Sequence, residues 1–315
     1  MNIVFFGSAQ FAVPSLKILL GTHHKVSAAV TQPDRHKGRG LAIASTPVKS
    51  VAEEAGLKVY QPESINTLEA AHFLKGLGPD LFVVIAYGQI ISQKLLDIPR
   101  LLAVNVHASL LPKYRGAAPI NWAIINGETT TGVTVMKMVR QMDAGPVIAQ
   151  EKISIDNDDN ARTLERKLSD LGAHLLLQSL KSIENGRYAL LPQDDAKVVL
   201  ASKLRKEDGL IKWDVPAQDI YNRIRGCVGW PGAFTHYEGK LMKIYRARVA
   251  AVSHASGRGR PGEIIKISRE GISVYTAKDI LIIEELQIEG RKRMDAAQFI
   301  SGYKVAAGKI LGKAA

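Results

Sequence analysis

Ala103-Val104-Asn105-Val106-His107 runs directly into Ala108-Ser109-Leu110-Leu111-Pro112, and this stretch decides how the chain is read. Its first half is short, rich in β-branched residues and closed by a breaker, which marks a buried strand. Side chains alternate across a strand, so Asn105 and His107 share one face while Val104 and Val106 share the other. Moving outward, Asn2–Phe6, Val26–Thr31 and Leu81–Ala86 are further short apolar runs of the same kind. The stretches 14–20, 48–55, 64–77 and 119–126 carry apolar residues three and four apart, the helical spacing. Strand, helix and strand in succession imply parallel crossovers and a sheet covered on both faces. Val133–Met138 and Val147–Ile155 add strands, and Ala161–Glu184 reads as a longer helix stopped near Asn185-Gly186. The expectation for residues 1–187 is an α/β domain with a doubly wound, mostly parallel, Rossmann-like sheet.

From Tyr188 to Glu207 the periodicity fades, so 188–207 reads as a linker. Residues 208–315 then give a helix at 217–226 and five short strands separated by glycine turns, which predicts a smaller β-barrel domain of OB-like type. The formal net charge is +12, and it is unevenly spread. Residues 1–200 hold 21 Lys and Arg against 18 Asp and Glu, whereas residues 201–315 hold 21 against 12. That asymmetry suits a catalytic domain joined to one that grips a polyanion such as nucleic acid. The single cysteine, Cys227, rules out an internal disulfide, and no Cys or His run has zinc spacing, so a metal-free protein in a reducing compartment is expected. The longest clean apolar run, Leu81–Ala86, falls far short of the roughly 18 residues that cross a bilayer. Met1–Phe6 reads as a strand rather than a secretion signal, and a cytoplasmic location follows.

Open α/β sheets bind ligands beyond the carboxyl ends of their strands. Asn105 and His107 sit at such an end, where an amide donor and an imidazole side by side can hold a developing oxyanion and move a proton. The alternative is a pair of buried polar residues satisfied by backbone. Thirty-six positions after His107, Met142-Asp143-Ala144-Gly145-Pro146 places an acid in a tight turn. Asp143 either caps its own turn or reaches His107, orienting the ring and selecting its tautomer. Gly7-Ser8-Ala9-Gln10 lacks the G-x-G-x-x-G spacing, which argues against a dinucleotide. No G-x-S-x-G elbow surrounds Ser109, which argues against a serine nucleophile and for a ligand contact. Gln32–Gly40 reads as a mobile basic loop over the crevice, with Arg39 between two glycines.

These residues resemble the methionyl-tRNA formyltransferase family. The likeness runs in order through Asn2–Gly7, Phe11–Pro14, Thr31–Arg35 with Gly38-Arg39-Gly40, Pro47–Lys49, Val84–Gly88, Asn105–Pro119, Gly132–Thr134 and Asp143–Gly145, and continues at Trp213 and Trp230-Pro231-Gly232. The Asn-x-His-x-Ser-Leu-Leu-Pro run with its distant Asp marks formyl-folate enzymes in general. The resemblance implies that Asn105, His107 and Asp143 are the catalytic trio, that Ser109, Leu110, Leu111 and Pro112 contact folate, and that 10-formyltetrahydrofolate is the formyl donor. It implies initiator methionyl-tRNA as acceptor, gripped in part by Arg35, Lys37 and Arg39, and a monomeric enzyme without metal. Leu41-Ala42-Ile43 stands where relatives can be basic, which thins the charge of that loop. The competing readings are a sister enzyme acting on a small amine or a nucleotide sugar, and a noncatalytic RNA-binding protein.

Overall fold

The computed structural model describes residues 1–37, 42–251, 259–303 and 305–312. The chain divides into two compact units, the first comprising Met1–Pro119, Thr130–Ser154 and Glu165–Ala201. Its strands are β1 (Asn2–Gly7), β2 (Lys25–Val30), β3 (Arg35–Lys37), β4 (Ala42–Ala44), β5 (Val59–Tyr60), β6 (Leu81–Ile85), β7 (Leu102–His107), β8 (Arg115–Gly116), β9 (Thr130–Lys137), β10 (Val147–Ser154) and β11 (Leu200–Ala201). Seven of them form one sheet in the order β10-β9-β7-β6-β1-β2-β5. The five strands from β7 to β5 are parallel, while β9 runs antiparallel to β7 and β10 antiparallel to β9. The doubly wound, mostly parallel sheet read from the sequence is therefore present, with an antiparallel hairpin at one edge. Ile3–Phe6 and Leu81–Ile85 are all buried, as central strands must be when helices cover both faces. Phe6 packs edge-on against Phe82 with ring centroids 4.9 Å apart.

Two segments depart from the sequence reading. Arg35–Lys37 pairs with Ala42–Ala44 as an antiparallel hairpin, although the stretch reads as a mobile loop. Three-residue strands are too short to show a period. The segment read as a linker carries structure of its own: Leu191 bridges to Val147, and β11 pairs with β8. Ala201 there is fully buried.

The second unit comprises Ile120–Thr129, Ile155–Leu164 and Ser202–Ala315, so two segments that precede residue 165 belong to it. The amide of Asn121 donates to the Gly226 carbonyl at 2.8 Å, and the Trp122 indole donates to the Ser202 carbonyl at 2.7 Å. The unit's strands are β12 (Ala233–Tyr237), β13 (Lys240–Ala250), β14 (Ile264–Ser268), β15 (Gly271–Tyr275), β16 (Ile280–Ile288) and β17 (Met294–Asp295). They form one antiparallel sheet in the order β12-β13-β16-β15-β14, with β17 added beside β16. Alternate residues of these strands, among them Ile244, Ile272, Val274, Leu281 and Ile283, point into one core with Ile220 and Ile224 of the helix Ala217–Gly226. Trp213 enters the same core and spends its indole N–H on Thr235 Oγ1 at 3.0 Å.

One polar clasp ties the start of the parallel sheet together. Asp80 accepts the Asn2 backbone N–H at 2.8 Å and the Arg100 Nε at 2.9 Å, and Asn2 donates its amide to the Leu77 carbonyl at 2.7 Å. The Asn2 N–H and then the Arg100 guanidinium hold the Asp80 carboxyl below the usual carboxylate range. A depressed carboxyl stabilises the fold above its unfolded pKa and loses that effect as pH falls through its folded pKa. Wild type should therefore melt above Asp80→Asn at neutral pH, and the gap should close as a pH series of melting curves descends below about pH 4.

Candidate active site

β7 ends on the carboxyl rim of the sheet and carries both sequence-predicted residues, Asn105 half-buried and His107 buried. The chain then turns sharply back, and the ring of His107 is held from two sides. Its Nε2 lies 2.9 Å from the Tyr114 carbonyl, an atom that only accepts, so Nε2 carries a proton. Its Nδ1 faces Asp143 Oδ1 at 3.7 Å. The structure thus brings Asp143 to His107, in keeping with the longer-range of the two possibilities left open by the sequence. Asp143 does not depend on the imidazole for its place. Its Oδ2 accepts the Gly116 backbone N–H at 2.9 Å, and the Gln193 amide donates to the carbonyls of Asp143 and Gly145 at 2.9 and 2.7 Å.

Both residues that contact the ring sit in left-handed backbone, Tyr114 at φ 64° and Asp143 at φ 52°. Such conformations persist only where neighbours over-determine them, and they concentrate at functional sites. Arg115 is the buried strut between them: its Nε donates to Gln193 Oε1 at 3.0 Å, and its Nη2 pairs with Asp195 at 2.8 Å. A buried guanidinium is costly to strand, so this contact fixes the 193–195 segment against the turn.

The segment Ser109–Pro112 is knitted into the sheet by residues to which the sequence reading assigns no role. The Thr134 hydroxyl, fully buried on β9, donates to the Ser109 carbonyl at 2.6 Å and accepts the Leu111 N–H at 3.1 Å. Gln150 on β10 donates to the Leu111 carbonyl at 2.8 Å and to Thr134 Oγ1 at 2.9 Å. The Ser109 hydroxyl donates to the Lys113 carbonyl at 2.6 Å. Ser109 and Leu111 are buried, Leu110 and Pro112 half-buried, and the Leu111–Pro112 peptide is cis. A threonine between Val133 and Val135 looks like any β-branched strand residue, so only the fold reveals its hydroxyl as a staple.

Of the residues expected to meet a polyanion, Arg35 is exposed on β3 and stands 3.7 Å from Glu63. Lys37 closes the same strand, and Arg39 lies outside the described residues. The hairpin is anchored at Asp34, which binds Lys49 Nζ at 2.6 Å and the Gln61 amide at 2.8 Å; the Lys49 contact chiefly holds its carboxyl low. Next to it, Gln32 Nε2 is buried without a hydrogen-bond partner, close to Gly88 beyond β6. An unmet amide donor on the rim fits a ligand with ring heteroatoms. Cys227 is fully buried, and burial pushes its thiol up to about 11, so it offers no thiolate.

The class of protein is a formyl transferase: residues 1–180 match the family model "Formyl transferase", and residues 203–304 match "Formyl transferase, C-terminal domain". At 47% identity over 313 residues, covering 99% of this chain and 98% of the relative, it is similar to the methionyl-tRNA formyltransferase of Geotalea uraniireducens. The enzyme of that name from Citrifermentans bemidjiense is also 47% identical, with 99% of this chain and 97% of the relative covered. The chain belongs to the methionyl-tRNA formyltransferase family. Among solved structures the fold is shared with a sugar 3N-formyl transferase determined in the presence of dTDP and 5-N-formyl-THF (TM-score 0.68, 20% identity, 93% of this chain and 99% of that one). It is shared also with HypX from Aquifex aeolicus in complex with tetrahydrofolic acid (TM-score 0.63, 17% identity, 98% of this chain and 50% of that one).

The turn that carries Asp143 depends on Gly145. A Cβ there would lie 1.7 Å from the Lys137 carbonyl oxygen, which is backbone and cannot step aside. Gly145→Ala should displace the turn, pull Asp143 from the ring and lower the melting temperature, whereas Gly76→Ala, facing open space, should change little. Paired melting curves and turnover measurements check both.

Proposed function

We propose that this protein transfers the formyl group of 10-formyltetrahydrofolate to the α-amino group of methionyl initiator tRNA, giving N-formylmethionyl-tRNA. The observation that carries the reading is the His107–Asp143 pair beside Asn105 on the carboxyl rim, in a chain 47% identical to enzymes of that name.

Asn105 donates its side-chain amide to the formyl oxygen, on which negative charge gathers as the amine nitrogen adds to the formyl carbon. His107, tied to the Tyr114 carbonyl through Nε2, adds the field of its ring, and Asp143 complements Nδ1 when that nitrogen carries a proton. The bond to the folate nitrogen then breaks, that nitrogen takes up a proton, and the attacking amine gives one up. The transfer is direct, because the lone cysteine is buried and protonated and no serine elbow is present. Ser109, Leu110, Leu111 and Pro112 wall the folate side of the crevice, with the Gln32 amide available to the ring system. Arg35, Lys37 and Arg39 meet the acceptor end of the tRNA. The basic residues 208–315 supply most of the attraction for its phosphates, a surplus for which a small amine or a nucleotide sugar has no use. No helix among the described residues is long and apolar enough to cross a membrane, and we place the enzyme in the cytoplasm as a monomer.

Asn105→Ala should lower turnover roughly a hundredfold to a thousandfold, the usual effect of losing one oxyanion donor, with the melting curve unchanged. Near-normal turnover would remove Asn105 from the chemistry. Affinity for methionyl-tRNA should fall steeply and linearly on a log–log plot against salt while folate affinity stays flat. Equal salt dependence for the two ligands would contradict the assignment of the basic surface to tRNA.

A further inference from the structure

We propose that His23, His24 and Glu184 form a site for one divalent metal ion of the zinc type, on the edge of the first unit opposite the catalytic rim. His23 and His24 end the turn that leads into β2, and Glu184 is the last residue of the 24-residue helix Ala161–Glu184. The strands from β7 to β5 are parallel, so the amino-terminal ends of β1 and β2 lie at the edge away from Asn105 and His107. The ion is therefore structural and takes no part in formyl transfer.

The spacing of the donors carries the argument. His23 Nε2 stands 3.3 Å from both carboxylate oxygens of Glu184, and His24 Nδ1 stands 3.6 Å from Glu184 Oε1. All three ligand atoms fall within 4.8 Å of one another. Bonds of about 2.0–2.1 Å in a tetrahedron put neighbouring donors roughly 3.3–3.4 Å apart, so the two distances to Glu184 already match edges of such a figure, and a small turn of the exposed His23 ring closes the third. Solvent on the exposed side of His23 completes a four-coordinate set. Two imidazoles and a carboxylate are the donors that suit Zn²⁺ or Co²⁺ rather than Mg²⁺ or Ca²⁺.

The surroundings fit a preformed site with an open side. The His24 side chain is 1% exposed, and the backbone N–H of the same residue donates to Thr22 Oγ1 at 3.2 Å. His23 is 72% exposed and Glu184 33%, which leaves a path for the ion. Burial is the main influence holding the His24 imidazole in its uncharged form, the form that ligates a metal. The Met1 amine, 3.2 Å from His24 Nδ1, accounts for the turn of that ring but not for the exposed His23 ring turned onto the same carboxylate.

The test uses the untagged full-length chain, stripped with chelator and titrated with Co²⁺, followed by displacement with Zn²⁺. One equivalent should saturate with the visible absorption of four-coordinate Co²⁺, and Zn²⁺ should bleach it and raise the melting temperature. Glu184→Gln, which keeps the side chain's shape, and His23→Ala, at an exposed position, should each weaken binding more than the roughly ten- to hundredfold typical of outer-sphere partners. His174→Ala, exposed on the same helix, should leave binding unchanged. Formyl transfer should be equal with and without metal. No saturable equivalent, or one that survives both Glu184→Gln and His23→Ala, would overturn the proposal.

Discussion

The hydrogen bond from His107 Nε2 to the Tyr114 carbonyl is the constraint around which the proposed catalytic rim is organised. It uses up one ring nitrogen, turns the other toward Asp143, and so fixes what the imidazole can contribute. For the bond to exist, the chain must reverse between His107 and Tyr114, and the left-handed Tyr114 and the buried Arg115 are the consequences. Thr134 and Gln150 then lock the outer arm of that reversal to β9 and β10. Each of these groups spends its hydrogen-bonding capacity inside the protein. A rim held in this way does not have to reorganise when charge develops on a substrate oxygen, which is what the proposed oxyanion stabilisation requires.

Much of this was legible in the chain. Buried parallel strands announce themselves as short Val, Ile and Phe runs, which is why β1, β6 and β7 could be read directly. The shared face of Asn105 and His107 followed from alternation alone. The antiparallel direction of β9 was not legible, because periodicity carries no orientation. Asp143 reads equally well as a turn residue, and its contact with His107 exists only once β9 runs back beside β7. Thr134 and Gln193 escaped for the same reason: a hydroxyl in a β-branched run and an amide in an aperiodic stretch gain their meaning from partners far along the chain. His23 and His24 were visible as neighbours, but Glu184, distant in sequence, is what makes them a cluster.

The two units divide the physical work. In the first, hydrogen bonds tie His107, Asp143 and the segment Ser109–Pro112 to their neighbours, while the buried Gln32 amide on the same rim is left unmet. In the second, a compact antiparallel sheet buries its apolar residues in one core, and several of its arginines are spent on positioned pairs, such as Arg293 with Glu285 at 2.6 Å and Arg246 with Glu284 at 3.0 Å. Ile120–Thr129 and Ile155–Leu164 show that a boundary drawn along the sequence differs from one drawn by packing.

The tautomer of His107 tests this account most directly. Nitrogen-15 shifts of the ring, assigned with a His107→Gln variant, should report a proton on Nε2 whenever the ring is neutral. A neutral ring protonated on Nδ1 with Nε2 bare would mean that the Tyr114 carbonyl does not hold it, and the proposed organisation of the rim would fail.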